Sequence, residues 1–284
     1  MLIDLHIHTR YSDGDLLPDE VVAFVKENGV RVMSITDHDT VSGISNAVKA
    51  GEEHEVAVIP GIELTTYFED AEVHILGYDI DYKNRTFSKT INDLRNKRFL
   101  RVKRMLARLR QEGLDIHDKD VFKEEEMIDA SSGGVHISYG RPHIAKALFE
   151  KGLVKSFQHA FERYIGNDCK SYLPKETLHT LEGIRLIKDA GGKAVCAHPD
   201  NIDETHIDIF KENGLDGLEV YCPAHDEMQV YHYEIMAKER DLAATAGTDM
   251  HGVRGYSSKL ERLPGDSVFL KQMAKLFPEV GKLL

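Results

Sequence analysis

The sequence predicts an α/β protein built on a mostly parallel sheet, interrupted once by a helical segment. Three observations carry this. Short apolar runs alternate with helical patterns in the first and last thirds of the chain, a long middle stretch has no convincing strand, and histidines and carboxylates recur just after the apolar runs. Strands are expected at residues 1–5, 30–35, 56–60, 72–77, 193–197, 216–220 and 242–246. Helices are expected at 18–27, 41–54, 178–189, 207–213 and 228–239. Pro18 suits a first helical turn, where its missing N–H has no partner to lose. Strand–helix alternation favours parallel strands joined by helical crossovers. Seven strands suit a barrel better than a small open sheet, although the pattern alone leaves closure open.

The rhythm stops between residues 83 and 172. Residues 86–111 place Leu94, Leu100, Met105, Leu106 and Leu109 on an expected helix that Gly113 would end. Residues 141–151 and 157–164 read as further helices. The expected organisation is therefore a barrel made of 1–82 and 173–284, with 83–172 a helical insertion forming part of the substrate pocket.

Composition narrows the function. At 284 residues and 42% hydrophobic, the chain can bury one large core, or one core and a small insertion. With 48 acidic against 36 basic residues the formal charge is −12, which argues against a protein that coats extended duplex nucleic acid. Bound cations would change the local sign. The three cysteines, Cys169, Cys196 and Cys222, have no zinc-finger spacing, and their odd number suits a reducing compartment. No targeting segment is visible, and no apolar run reaches the roughly 20 residues that span a bilayer. These features lead to the expectation of a soluble cytoplasmic protein with no obligate protein partner evident.

The chemistry is expected at the carboxyl ends of the strands, where parallel α/β folds collect ligands. His6 and His8 are spaced so that both project from one face of the first strand, and Asp249 and His251 repeat that spacing near the far end of the chain. Asp13, Asp37, His38, Asp39, Glu63, His74 and His198 follow or lie on the strands between. Six of the fifteen histidines thus fall at one edge of the predicted sheet, each near a carboxylate. Neutral imidazole ligates Zn, Mn or Fe, and a carboxylate can bridge two cations, so a set this large implies two or three ions.

These motifs resemble a known family. Asp4-Leu5-His6-Ile7-His8-Thr9 with Ser12-Asp13-Gly14, then Thr36-Asp37-His38-Asp39, Pro60-Gly61-Ile62-Glu63, Val73-His74-Ile75, Ala197-His198-Pro199 and Gly247-Thr248-Asp249-Met250-His251 are similar to the successive motifs of PHP (polymerase and histidinol phosphatase) domains. Gly140-Arg141-Pro142-His143 and Ala160-Phe161-Glu162-Arg163-Tyr164 resemble the TrpH-like branch, which includes nucleoside 3′,5′-bisphosphate phosphatases and 5′–3′ exoribonucleases of short RNA.

The resemblance implies a distorted (β/α)7 TIM-like barrel with two or three divalent ions (Mn, Fe, Zn or Mg). His6, His8, Glu63 and Asp249 would hold one ion, Glu63 would bridge to a second completed by His74 and His198, and Asp13, His38 and His251 would hold a third. Asp37 would orient a ligand or cap a helix, and for Asp39 the capping role stands beside a functional one.

Phosphoryl transfer fits such a site, because clustered cations neutralise the phosphoryl oxygens and lower the pKa of a bound water. No Ser–His–Asp elbow, Cys–His pair or Walker loop competes, so attack by metal-bound hydroxide on a small phosphorylated nucleotide or short RNA is the expected mechanism. Arg141, which opens a helix, and His143 are the candidates for gripping phosphate, with His225 a further pocket candidate beside Tyr221 and Lys259. The basic run from Arg95 to Arg110 is read mainly as a solvated helix face. The alternatives are amidohydrolase-type C–N hydrolysis and a non-catalytic regulatory PHP module.

Overall fold

The computed structural model describes residues 1–123, 136–200 and 202–283. It forms two compact units, one made of 1–88 and 177–284 and the other of 89–176. No helix among the described residues is long and apolar enough to cross a membrane.

The first unit begins with β1 (Leu2–Ile7), α1 (Pro18–Glu27), β2 (Val30–Ile35), α2 (Ile44–His54) and β3 (Ala57–Phe68). The strands are parallel and nearly continuous in their apolar character because both faces are covered, with Ile3, Leu5, Val30, Val32 and Ile35 all buried. α1 starts on Pro18, and Glu20 accepts a hydrogen bond from the Leu17 N–H at 2.7 Å. α2 begins three residues later than the sequence pattern suggests, because residues 37–43 form the loop beyond β2.

β3 runs far past the expected end at residue 60 and turns back through Glu69 and Asp70 into β4 (Ala71–Tyr78). The two pair antiparallel from Gly61–Tyr78 to Phe68–Ala71. A two-residue connection can only make a hairpin, whereas a parallel neighbour needs a crossover of a dozen residues or more. β4 is therefore inverted within an otherwise parallel sheet, and this is the principal distortion of the barrel.

After the second unit the chain re-enters with β5 (Leu178–His179), α7 (Thr180–Asp189), β6 (Lys193–Cys196), α8 (Glu204–Glu212), β7 (Gly217–Tyr221), α9 (Glu227–Glu239) and β8 (Ala243–Ala246). β5 pairs with β3 where a helical start was expected, and His179 caps α7 by accepting the Leu181 N–H. Asp203 and Asp226 cap α8 and α9 in the same way. Three short C-terminal helices, α10 (Tyr256–Leu260), α11 (Ser267–Leu276) and α12 (Pro278–Gly281), were absent from the sequence expectation.

The sheet order is β1-β2-β3-β4-β6-β7-β8. Its two ends meet not by a full ladder but through one bridge, Ile7–Met250, with the His8 N–H donating to Met250 O at 2.8 Å and the Met250 N–H to His6 O at 3.2 Å. Buried Asp4 reinforces the seam. It accepts the Thr248 N–H at 2.9 Å, the Thr248 hydroxyl at 2.7 Å and the Tyr256 hydroxyl at 3.0 Å.

The second unit contains most of α3 (Arg85–Gln111), then α4 (Asp118–Val121), α5 (Arg141–Glu150), α6 (Phe157–Ala160) and a π-helical turn at Phe161–Ile165. Val102, Met105, Leu106, Leu109, Ile144 and Leu148 form its core. Leu100, expected on the apolar stripe, is instead 48% exposed. The expectation of no strand here holds among the described residues, and its portion over 124–135 lies outside them. The basic run is engaged in this unit: Arg98 Nε donates to Tyr139 O, Arg101 Nε to Leu173 O and Arg108 to Tyr172 O.

Replacing Asp4 by Ala leaves the Thr248 and Tyr256 donors without their buried acceptor, and the expected loss is about 3 kcal/mol of unfolding free energy. Urea denaturation measures it; a change within about 0.5 kcal/mol, the range of an ordinary surface substitution, would remove Asp4 from the seam.

Candidate metal centre

Every sheet strand except β5 and β7 delivers at least one of the expected ligands to its carboxyl end or its length. β4 delivers His74 mid-strand, as its reversed direction requires. The hub is Glu63 on β3, whose side chain is 1% exposed. Its Oε1 lies 2.8 Å from His74 Nδ1 and 3.1 Å from His198 Nε2. Its Oε2 lies 2.9 Å from His38 Nδ1, 3.3 Å from His8 Nε2 and 3.4 Å from His6 Nε2. Asp249 Oδ1 reaches the same two imidazoles, at 3.2 Å from His8 Nε2 and 3.5 Å from His6 Nε2. Asp13 Oδ1 is 3.4 Å from His251 Nε2 and 3.7 Å from His8 Nδ1. The structure thus brings all nine residues together.

The arrangement has an inner and an outer side. His6 and His8 are buried, while Asp249 and His251 expose 37% and 39% of their side chains, so the cluster opens to solvent. His198 and Asp249 sit at φ of 25° and 49°, a conformation that costs a non-glycine residue roughly 1–3 kcal/mol and that persists here at the strand ends where the ligands emerge.

Local partners hold the donors in place. Asp37 accepts the Thr9 N–H at 2.7 Å and the Thr9 and Ser12 hydroxyls at 2.6 Å each, and Ser12 Oγ lies 3.4 Å from His8 Nδ1. Asp39 accepts the Thr65 N–H at 2.9 Å. Neither caps a helix, because α2 starts after Gly43. Lys259 donates to the carbonyls of Thr248 and Asp249, at 3.2 Å each. Glu219 on β7, absent from the sequence expectation, lies 2.9 Å from His6 Nδ1. Its only signal in the sequence is a lone carboxylate between Leu218 and Val220 in an otherwise apolar strand.

The donor set fits divalent cations. His6 Nε2, His8 Nε2, Asp13 Oδ1, His38 Nδ1 and Glu63 Oε2 are buried and make no aligned hydrogen bond, although they face one another at ion-pair distances. Buried polar atoms are seldom left so, and imidazole with carboxylate is a mixed set suited to Mn, Fe or Zn. Among the described residues, three sets of atoms converge closely enough to share an ion: His8, Asp13, His38 and His251; His6, His8 and Glu63; and His38, Glu63 and His74. His8 and His38 each fall in two of these sets, unlike the partition implied by the family resemblance.

Electrostatics reflects the crowding. Burial opposes charge on His8, but the Asp249 and Glu63 carboxylates beside its ring outweigh it and lift its pKa to about 10. His6 is likewise raised against its burial, by Glu219, Glu63 and Asp249. Burial dominates at His38 and lowers it to about 4. Burial would raise Glu63, yet the charges of His38, His74 and His6 hold it well below the usual carboxylate range.

Of the remaining expected residues, Arg141 and His143 belong to the second unit and His225 to the first. Arg141, in the second unit, donates to Asn167 Oδ1 at 2.8 Å, and its guanidinium stands 5.5 Å from the ring centres of both Phe161 and Tyr172. His143 Nδ1 accepts the Gly140 N–H at 3.1 Å at the start of α5. His225 is buried in the first unit; its Nδ1 donates to Val220 O at 2.8 Å and its Nε2 lies 3.4 Å from Asp200.

Barrel and cluster together define a metal-dependent hydrolase scaffold of the β/α type. The chain belongs to the PHP domain family, whose profile matches residues 4–167. A 5′–3′ exoribonuclease of Haemophilus influenzae is 32% identical over 262 residues, covering 89% of this chain and 91% of that protein. A 3′,5′-nucleoside bisphosphate phosphatase of Chromobacterium violaceum is 28% identical over 258 residues, covering 88% and 87%. Among solved structures, a protein of Bifidobacterium adolescentis provisionally assigned as a metal-dependent phosphoesterase superposes with a TM-score of 0.85 at 31% identity, covering 98% of this chain and 96% of that one.

Metal uptake is expected to release protons, since His6 and His8 hold them at neutral pH in the metal-free cluster and must shed them to ligate. Affinity for Mn²⁺ then rises with pH up to about 10, the pKa of His8. The stability that the His8 proton lends the metal-free protein has the opposite sign, being full below 6.5 and lost as pH rises through about 10. Calorimetry in buffers of differing ionisation enthalpy counts the protons; uptake without proton release at pH 7 would contradict this charge balance.

Proposed function

We propose that this chain hydrolyses phosphate esters of nucleotides, acting on nucleoside 3′,5′-bisphosphates, on short 5′-phosphorylated oligoribonucleotides, or on both. The observation that carries the reading is the convergence of five buried atoms, on His6, His8, Asp13, His38 and Glu63, that make no aligned hydrogen bond. The names of the Haemophilus and Chromobacterium relatives support the substrate class.

In this reading His6, His8, Glu63 and Asp249 would hold one cation, Glu63 with His74 and His198 a second, and Asp13, His38 and His251 a third. Divalent ions supply Lewis-acid neutralisation of phosphoryl oxygens and activation of water at neutral pH. The chain's own residues do the rest. Glu63 places one carboxylate oxygen toward His74 and His198 and the other toward His6, His8 and His38, so a single side chain can serve two neighbouring cations. The exposed edge formed by Asp249 and His251 lets an ester approach from solvent while the inner donors stay dry. Arg141 and His143 are assigned to the substrate's phosphate. Stacking between Phe161 and Tyr172 holds the Arg141 guanidinium, whose planar fork matches phosphate oxygens.

A purely regulatory role fits poorly, because domains kept only for structure have no need to retain nine potential ligands. The named activities of the relatives likewise favour phosphate esters over C–N bonds.

Metal-reconstituted protein should release phosphate or mononucleotide from at least one of adenosine 3′,5′-bisphosphate, AMP and a short 5′-phosphorylated RNA. No release from any of them with Mn²⁺ present sinks the reading. His8→Ala should lower turnover at least a hundredfold, or about 2.7 kcal/mol of transition-state stabilisation, while circular dichroism stays that of a folded α/β protein. Retained turnover would remove His8 from the centre.

A further inference from the structure

We propose that Glu219 is a positioning residue that sets two ligands of the centre, His6 and His198, at once. The inference rests on the reading of the cluster as a metal centre. Glu219 lies on β7, fully buried, and ligates nothing in the partition above. Its two oxygens are divided between two different ligands. Oε1 accepts from the Nδ1–H of His6 at 2.9 Å, and Oε2 accepts from the backbone N–H of His198 at 3.0 Å.

The two contacts do different things. The bond to His6 Nδ1 fixes the ring plane and puts the proton on that nitrogen, leaving Nε2 as the donor atom that faces Glu63 and Asp249. The bond to His198 holds its peptide in place, and that peptide belongs to a residue at φ 25°, which would relax toward a more populated conformation without a partner. One rigid carboxylate on a central strand therefore governs a side chain on β1 and a backbone beyond β6. In the proposed partition those belong to different cations.

Gly247 supplies an independent observation. A Cβ at that position would fall against His6 Cβ and lie 2.8 Å from Glu219 Oε1. The absence of a side chain just beyond β8 leaves room for the Glu219–His6 pair itself. An alanine there would disturb the same contact from the opposite side, without touching Glu219 chemically.

The test measures Mn²⁺ binding to the chelator-treated full chain by calorimetry, comparing wild type, Glu219→Gln, Gly247→Ala and the double variant. Thermal midpoints of the metal-free proteins measure folding separately. Glu219→Gln should weaken Mn²⁺ binding about 10–100-fold, the usual consequence of losing the partner of a ligating histidine. Gly247→Ala should weaken binding in the same direction. The double variant should be little worse than the poorer single one, because both break one contact. Wild-type affinity in Glu219→Gln, or losses that simply multiply in the double variant, would overturn the role. If Glu219→Gln fails to fold, Gly247→Ala decides, and wild-type affinity there also overturns it. If the wild-type protein itself binds no Mn²⁺, the reading of the cluster fails; wild-type binding with an indifferent Glu219→Gln defeats only the present inference.

Discussion

The architecture turns on one buried carboxylate, Glu63, surrounded by the imidazoles of His6, His8, His38, His74 and His198. An ionised group at 1% exposure is strongly unfavourable unless matched by opposite charge, whether carried by protons or by metal. The strands around it satisfy that need. The parallel strands place their ligands at a common edge, and the inverted strand β4 supplies His74 from within its length. The hairpin that inverts β4 is thus more than an irregularity. It brings a side chain opposite Thr65 of β3 in register, two positions along from Glu63, and so close to the hub.

The seam between the first and last strands carries a second constraint. His6 and His8 meet Asp249 only because β1 lies beside the segment after β8, and one backbone bridge with the Asp4–Thr248–Tyr256 bonds maintains that contact. A full ladder would align every residue of both strands. A single bridge fixes their ends and leaves the residues after Met250 free to turn His251 toward Asp13.

Much of this was legible in the residues. Alternate spacing in His6–His8 and Asp249–His251 marks side chains on one face, and a strand-end position is where parallel sheets gather ligands, so the candidates could be listed from pattern together with Asp37 and Asp39, while the narrower set of nine ligands came from the family resemblance. What escaped had weaker local signals. Glu219 is isolated in an apolar strand, and its partners lie 213 and 21 residues away, beyond what spacing can reveal. The antiparallel β4 depends on a two-residue turn whose Glu69 and Asp70 carry no glycine to announce it. Leu100 matched a helical stripe yet faces solvent, because a period of 3.6 shared by several apolar positions does not say which of them the neighbouring helices cover. The family profile, which ends at residue 167, stops before His198, Glu219 and Asp249; their place in the centre rests on geometry.

The division of the ligands along the chain has a consequence for synthesis. Residues 4–74 hold the hub and four of its imidazoles, but His198, Glu219 and Asp249 follow only after the entire second unit has been made. A growing chain therefore presents several exposed histidines and carboxylates for the time taken to translate more than a hundred residues, with no closed seam to order them. The donor set is complete only once the segment after β8 lies beside β1, held by the Ile7–Met250 bridge and the bonds to Asp4.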